Sequence, residues 1–187
     1  MSDPTTEMLS LRLEELLRSH EIDASIFAPF VIARLRGKFE DSEAVLLVRI
    51  GEVDASDERA LQVLIQWEPG SAFAQPVAVQ ERVLTEWAAL GVACLLLPGL
   101  LNVWITSVAV EGESFDDRVS DGSNEWGLEV SGTMTEYDGV LRGRLGLKIR
   151  QLQSNPSGMV GYVVVVAFVR REALIAVPDS ENPEEAR

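Results

Sequence analysis

The residues best suited to nucleophilic or metal chemistry in this 187-residue chain are its one histidine, His20, and its one cysteine, Cys94. A reactive thiolate needs an imidazole or another cation beside it in a polar, accessible setting. Cys94 instead lies inside an apolar run, far along the chain from His20. The expectation is an inert buried thiol and a surface histidine near a helix end. One histidine and one cysteine exclude a Cys/His zinc site within a single chain. No P-loop, dinucleotide fingerprint, nucleophile elbow or H-E-x-x-H helix is present. The stretch "DDRVSDGSNE" gathers Asp116, Asp117, Asp121 and Glu125, but its spacing is not that of a calcium loop, and it reads as a solvated acidic turn. Sequence therefore names no catalytic, cofactor-binding or metal-binding residue, implies no cofactor, and argues against an enzyme.

Charge is the stronger signal. The chain carries a formal net charge of −14, yet Val140–Arg171 holds six basic residues and no acid, while Glu111–Asp138 holds nine acids and one base. Within the basic block, Arg142, Arg144, Lys148 and Arg150 stand at near-alternate positions and are the candidate partner-binding residues. The plainer account is that the acidic block folds beside the basic one and neutralises it. An acidic chain with four cations and no interleaved aromatics lacks the footprint of a nucleic-acid binder. A protein partner or self-association fits better.

These residues need elements to hold them. Leu9, Leu13, Leu16 and Leu17 recur at helical spacing with Thr5 or Thr6 as a cap, and "IFAPFVIARLRGKF" continues as a second helix. A strand is expected over 44–51. For 56–67 the helix-start signal Ser56–Asp57–Glu58 competes with the alternation of Leu61, Val63, Ile65 and Trp67, and a helix is the reading taken. A further helix is expected over 77–90, ended by Pro98–Gly99, with strands from about 102 to 178. Asp138–Gly139 is a strong hairpin signal, and the register it sets pairs Glu129 with Lys148 in a hairpin over 127–150. Val160–Val169 reads as a central strand.

The fold class is thus α+β: N-terminal helices packed against or beside an antiparallel β-meander. Residues 1–70 are expected to be mainly helical, 77–178 a helix plus sheet forming one compact domain with them, and 179–187 a flexible acidic tail. The uncharged run of 24 residues at 87–110 is long enough to cross a bilayer, but Pro98–Gly99, Asn102 and acidic flanks make membrane attachment the third choice. The opening "MSDPTTEMLS" shows no secretory pattern, and a cytoplasmic location is expected. The leading expectation is a non-catalytic interaction or assembly protein, homo-oligomeric or part of a virion or secretion assembly. The alternative is a small-ligand or enzymatic domain with Arg142, Arg144, Glu129 and Tyr137 on a sheet face.

Overall fold

A computed structural model of the chain describes residues 8–38, 41–52, 58–69, 79–109 and 115–178. Eight strands form one mixed sheet. They are β1 (Met8–Arg12), β2 (Glu43–Glu52), β3 (Glu58–Gln66), β4 (Trp104–Val108), β5 (Asp117–Ser120), β6 (Glu125–Thr133), β7 (Gly161–Ala167) and β8 (Glu172–Val177). Their spatial order is β1-β3-β2-β8-β7-β6-β5-β4. The helices are α1 (Leu13–Leu17), α2 (Ala28–Leu35), α3 (Glu81–Leu101) and α4 (Asp138–Gln153), with a 3-10 turn at Ala24–Phe27 leading into α2. The α+β class holds. The sheet is mixed rather than an antiparallel meander, because β1/β3, β2/β8 and β6/β7 run parallel.

Alternation outweighs the helix-start signal at 58–66. Leu61, Val63 and Ile65 sit opposite Val48, Leu46 and Ala44, so six side chains are buried on one face. Ser56 and Asp57, which carried the helix expectation, lie outside the described residues, as do Thr5, Thr6 and the tail 179–187. The N-terminal helix is likewise shorter than expected. Met8–Arg12 pairs in parallel with β3, setting Leu11 beside Ile65, and only Leu13–Leu17 is helical.

Helix α3 lies across that apolar face, with ten residues from Thr85 to Leu97 buried. It is the one helix among the described residues long and apolar enough to cross a membrane. It does not stop at Pro98–Gly99 but continues to Leu101, where Asn102 (φ 57°) closes it in the left-handed conformation. Gly91 admits α2: a Cβ there would lie 2.4 Å from Val31 Cγ2.

The opposite face is covered over β6, β7 and β8 by α4. Residues 138–153 are this helix, not the second arm of a hairpin. The reason is topological. β6 and β7 are parallel neighbours, so a two-residue turn cannot join them and a crossover must. Asp138 becomes a first-turn acid rather than a turn residue, favourable at the positive end of the helix dipole. Leu141, Leu145, Ile149 and Leu152 then fall on the sheet side, against Val163, Val165 and Leu174. Central β7 is buried along its whole length.

Candidate functional site

Of the four basic residues singled out by spacing, the fold neutralises two. Arg142 grips Glu58 with both terminal nitrogens (2.7 and 3.1 Å) and reaches Asp138 at 3.2 Å. That pairing pulls the Glu58 carboxyl below its usual range and raises the guanidinium. Lys148 meets Glu129, the partner expected from sequence, but from a helix packed on the sheet rather than from a neighbouring strand. Its ammonium also lies 3.7 Å from Asp116. Among the described residues Arg144 has no carboxylate partner, and it donates to Ser131 Oγ at 3.1 Å. Arg150 is exposed and has no polar partner among the described residues. Tyr137 is 75% exposed, outside any enclosure with Glu129.

The structure assembles a different constellation around β6. Strand β5 covers β6 only as far as Leu128, so Glu129–Thr133 has β7 on one side and no strand on the other among the described residues. The Leu128 carbonyl, which accepts from the Asp116 amide at 2.9 Å, faces this side. Strand periodicity turns the backbone groups of Val130 and Gly132 the same way. Neither amide is left bare. Val130 N–H donates to Asp116 Oδ2 at 2.9 Å, and Gly132 N–H donates to Glu86 Oε2 at 3.0 Å. Two carboxylates thus stand where the carbonyls of a missing strand would stand. The approach is close because residue 132 is glycine: a Cβ would lie 2.4 Å from the Thr85 carbonyl oxygen of α3.

A groove of about 660 Å³ runs over this edge, and a second hollow of about 520 Å³ adjoins it and shares Arg82, Glu86 and Arg144 with it. At one end lie Ile26, Trp87 and Val108, all substantially exposed, and at the other Met134. Trp87 is braced edge-on by Phe30, ring centroids 4.9 Å apart. Arg82, on the first turn of α3, has no polar partner among the described residues.

Two carboxyls are strongly perturbed. Asp117, 3% exposed and lining the groove, is pushed up to about 7 by burial and then by the charge of Asp116. Glu129, fully buried, is held at about 7 because burial outweighs the help of Lys148; Gln151 Nε2 also donates to it at 2.6 Å. Among the described residues no cluster of His, Cys, Asp and Glu has the form of a metal site.

His20 is not on the surface. It is buried, and its ring bridges two backbone groups. Nδ1 accepts from the Ile105 amide at 2.9 Å, which leaves the proton on Nε2 to donate to the Cys94 carbonyl at 2.7 Å. Burial lowers the pKa of the ring. The Cys94 thiol itself is buried and its pKa is raised. The two residues meet, but through a backbone oxygen, and no nucleophile results.

Sequence reasoning gave no role to Arg82, Glu86 and Trp87, and it read Asp117 as part of a solvated acidic turn where the structure buries it. The i, i+4 placement of Arg82 and Glu86 at the start of an apolar helix was the available signal, with Trp87 marking where that helix turns inward. Comparison with family models, curated proteins and solved structures finds no match.

Proposed function

We propose that this protein is a non-catalytic interaction domain that takes up an extended segment of a partner protein along the unpaired half of β6. The observation that carries the reading is the pair of β6 amides, Val130 and Gly132, held by the side chains of Asp116 and Glu86 instead of by a strand. An incoming strand offers carbonyls to the same amides, frees both carboxylates to water, and supplies N–H groups to the carbonyls beside them. The five residues of β6 without a strand on this side, Glu129–Thr133, extend for about 16 Å at a strand rise of about 3.3 Å, and they are buried in the free protein. The exposed apolar side chains at the two ends of the groove fit an interaction surface better than a solvated one.

The test is to pan a phage-displayed library of random nonapeptides against the folded protein and map the selected peptides by amide resonances. Uptake on the edge shifts Val130 and Gly132 most strongly. Selected peptides that move other amides and leave these two in place would overturn the reading.

A second reading, a small-ligand or proton-transfer site, is favoured by one observation: Asp117 and Glu129 both titrate near 7, and such groups cluster at functional sites. Against it, Arg142 is tied to Glu58 and Tyr137 stands in solvent. A thermal-shift screen of small acids and amines in which nothing stabilises the protein would remove it. Membrane attachment through 87–110 would use side chains of α3 that fill the core here.

A further inference from the structure

The β6 groove has an imbalance of charge that bears on what it takes up. Seven ionisable side chains line its two halves: Arg82, Arg144, Lys148, Glu81, Glu86, Asp116 and Asp117. Most are already engaged. Glu81 accepts from Arg34 at 2.5 Å, Glu86 from the Gly132 amide, and Asp116 from the Val130 amide with Lys148 near it. Lys148 is further held by Glu129. Asp117 is buried at the floor. What is left is Arg82, with no polar partner among the described residues, and Arg144, with one neutral hydroxyl. Both residues line both halves of the groove.

Elsewhere on the same block of sequence two arginines have carboxylates: Arg142 has Glu58 and Asp138, and Arg170 has Glu172 at 2.7 Å with Asp138 at 3.5 Å. Arg171 donates to the Leu35 carbonyl, and Arg150, with no polar partner among the described residues, projects from α4 into solvent; neither lines the cavities around β6. Two cations that no described carboxylate pairs with, inside one groove of a chain of net charge −14, mark a place for an anionic group from outside.

We propose that the segment received on the β6 edge is acidic, and that one of its carboxylates seats between Arg82 and Arg144. The proposal rests on the strand-uptake reading above and adds the chemistry of the occupant. The segment's backbone bonds to Val130 and Gly132, while one of its side chains enters the hollow that Arg82 of α3 and Arg144 of α4 both line. Glu86 and Asp116, released from the two amides, line the same groove and oppose an acidic side chain there, so the preference measures the two guanidiniums against them; charges beyond about 8 Å are screened at physiological ionic strength.

The test uses fluorescein-labelled nonapeptides of alternating Thr and Val whose central residue is Glu, Gln or Lys, titrated by anisotropy at physiological ionic strength. The Glu peptide is expected to bind about tenfold more tightly than the Gln peptide, as a charge-assisted contact requires, with the Lys peptide weakest. In Arg82→Gln/Arg144→Gln the ratio of Glu-peptide to Gln-peptide affinity falls to about one, whatever change the two peptides share. Matching unfolding curves for the two proteins establish that the fold is retained. Equal binding of Glu and Gln peptides overturns the acidic occupant and leaves strand uptake standing. Failure of all three peptides to bind overturns both. Self-association of the unsubstituted protein that is lost in the double variant makes the occupant a second copy of this chain and overturns the partner segment.

Discussion

Two places in this molecule face the same problem and solve it differently. At the end of α3, Pro98 has no amide to give the carbonyl four residues earlier, so Cys94 C=O is orphaned inside the core. His20 takes that carbonyl and the Ile105 amide of the edge strand β4 together, as a neutral ring. On β6 the orphans are the Val130 and Gly132 amides, and the groups that take them are the carboxylates of Asp116 and Glu86 beside an open groove. The first solution is closed: the ring is buried and both of its nitrogens are engaged. The second is exchangeable, because a carboxylate released from an amide is well solvated. A buried neutral tie reads as architecture, and two ionic plugs, one exposed and one half-buried, read as a surface that something else can occupy.

Breaking the closed site has the largest expected effect. His20→Ala strands two buried backbone groups, each costing about 1–3 kcal/mol, so urea unfolding should show a loss of about 2–5 kcal/mol. The mechanism makes a sharper claim. Pro98→Ala restores the missing N–H, which can then bond to Cys94 C=O in place of the imidazole. In the His20→Ala background that substitution should recover about 1 kcal/mol or more beyond its effect alone, a coupling a double-mutant cycle measures directly. Simple additivity would mean that the proline is not the reason for the histidine.

The two sites also differ in the sign of their pH dependence. The His20 pKa is lowered on folding, so its contribution is complete above the ordinary histidine value of about 6.5 and is lost as pH falls below it. Asp117 and Glu129 are raised to about 7, so the folded state binds their protons more tightly. The stability linked to them is present below about pH 4 and is lost as pH rises toward 7. Each group contributes a slope of at most about 1.4 kcal/mol per pH unit, and the two falling contributions meet the rising one just below about pH 6.5. Asp117→Asn removes one of the two falling contributions and should flatten the fall of stability with pH in that window. His20→Gln removes the rising contribution and should steepen the fall. An unchanged profile in Asp117→Asn would show that this carboxyl ionises normally under β5.

How much of this was legible in sequence follows from which signals were local. The helix read through "IFAPFVIARLRGKF", the strand read over 44–51 and the valine-rich strand read over 160–169 carry their own periodicity and emerged in type, at Ala28–Leu35, Glu43–Glu52 and Gly161–Ala167. The helix α4 did not, because Gly139, Gly143 and Gly146 depress helix propensity and Asp138–Gly139 mimics a turn. Only the parallel pairing of β6 with β7, a long-range fact, decides between the two. The Glu129–Lys148 pair survived this change because a helix over a strand can bring the same residues together as a second strand would. The groove was illegible for the same reason. Its parts come from α3, β6 and α4, and what defines it, a strand paired on one side only, has no signature in the residues of that strand.

The smallest expected effect tests whether the plugs on β6 are as loosely held as the comparison requires. Glu86 is half-buried, so removing its carboxylate with Glu86→Ala exposes the Gly132 amide to solvent rather than stranding it. The cost should be about 1 kcal/mol or less, well under that of His20→Ala. Hydrogen exchange should localise it: Gly132 exchanges about tenfold faster, while Val130, held independently by Asp116, keeps its protection. A loss as large as that at His20, or a loss of protection along the whole of β6, would mean that Glu86 holds the edge shut as part of the fold. The open half of β6 would then be as closed as the end of α3, and the distinction between the two sites would fail.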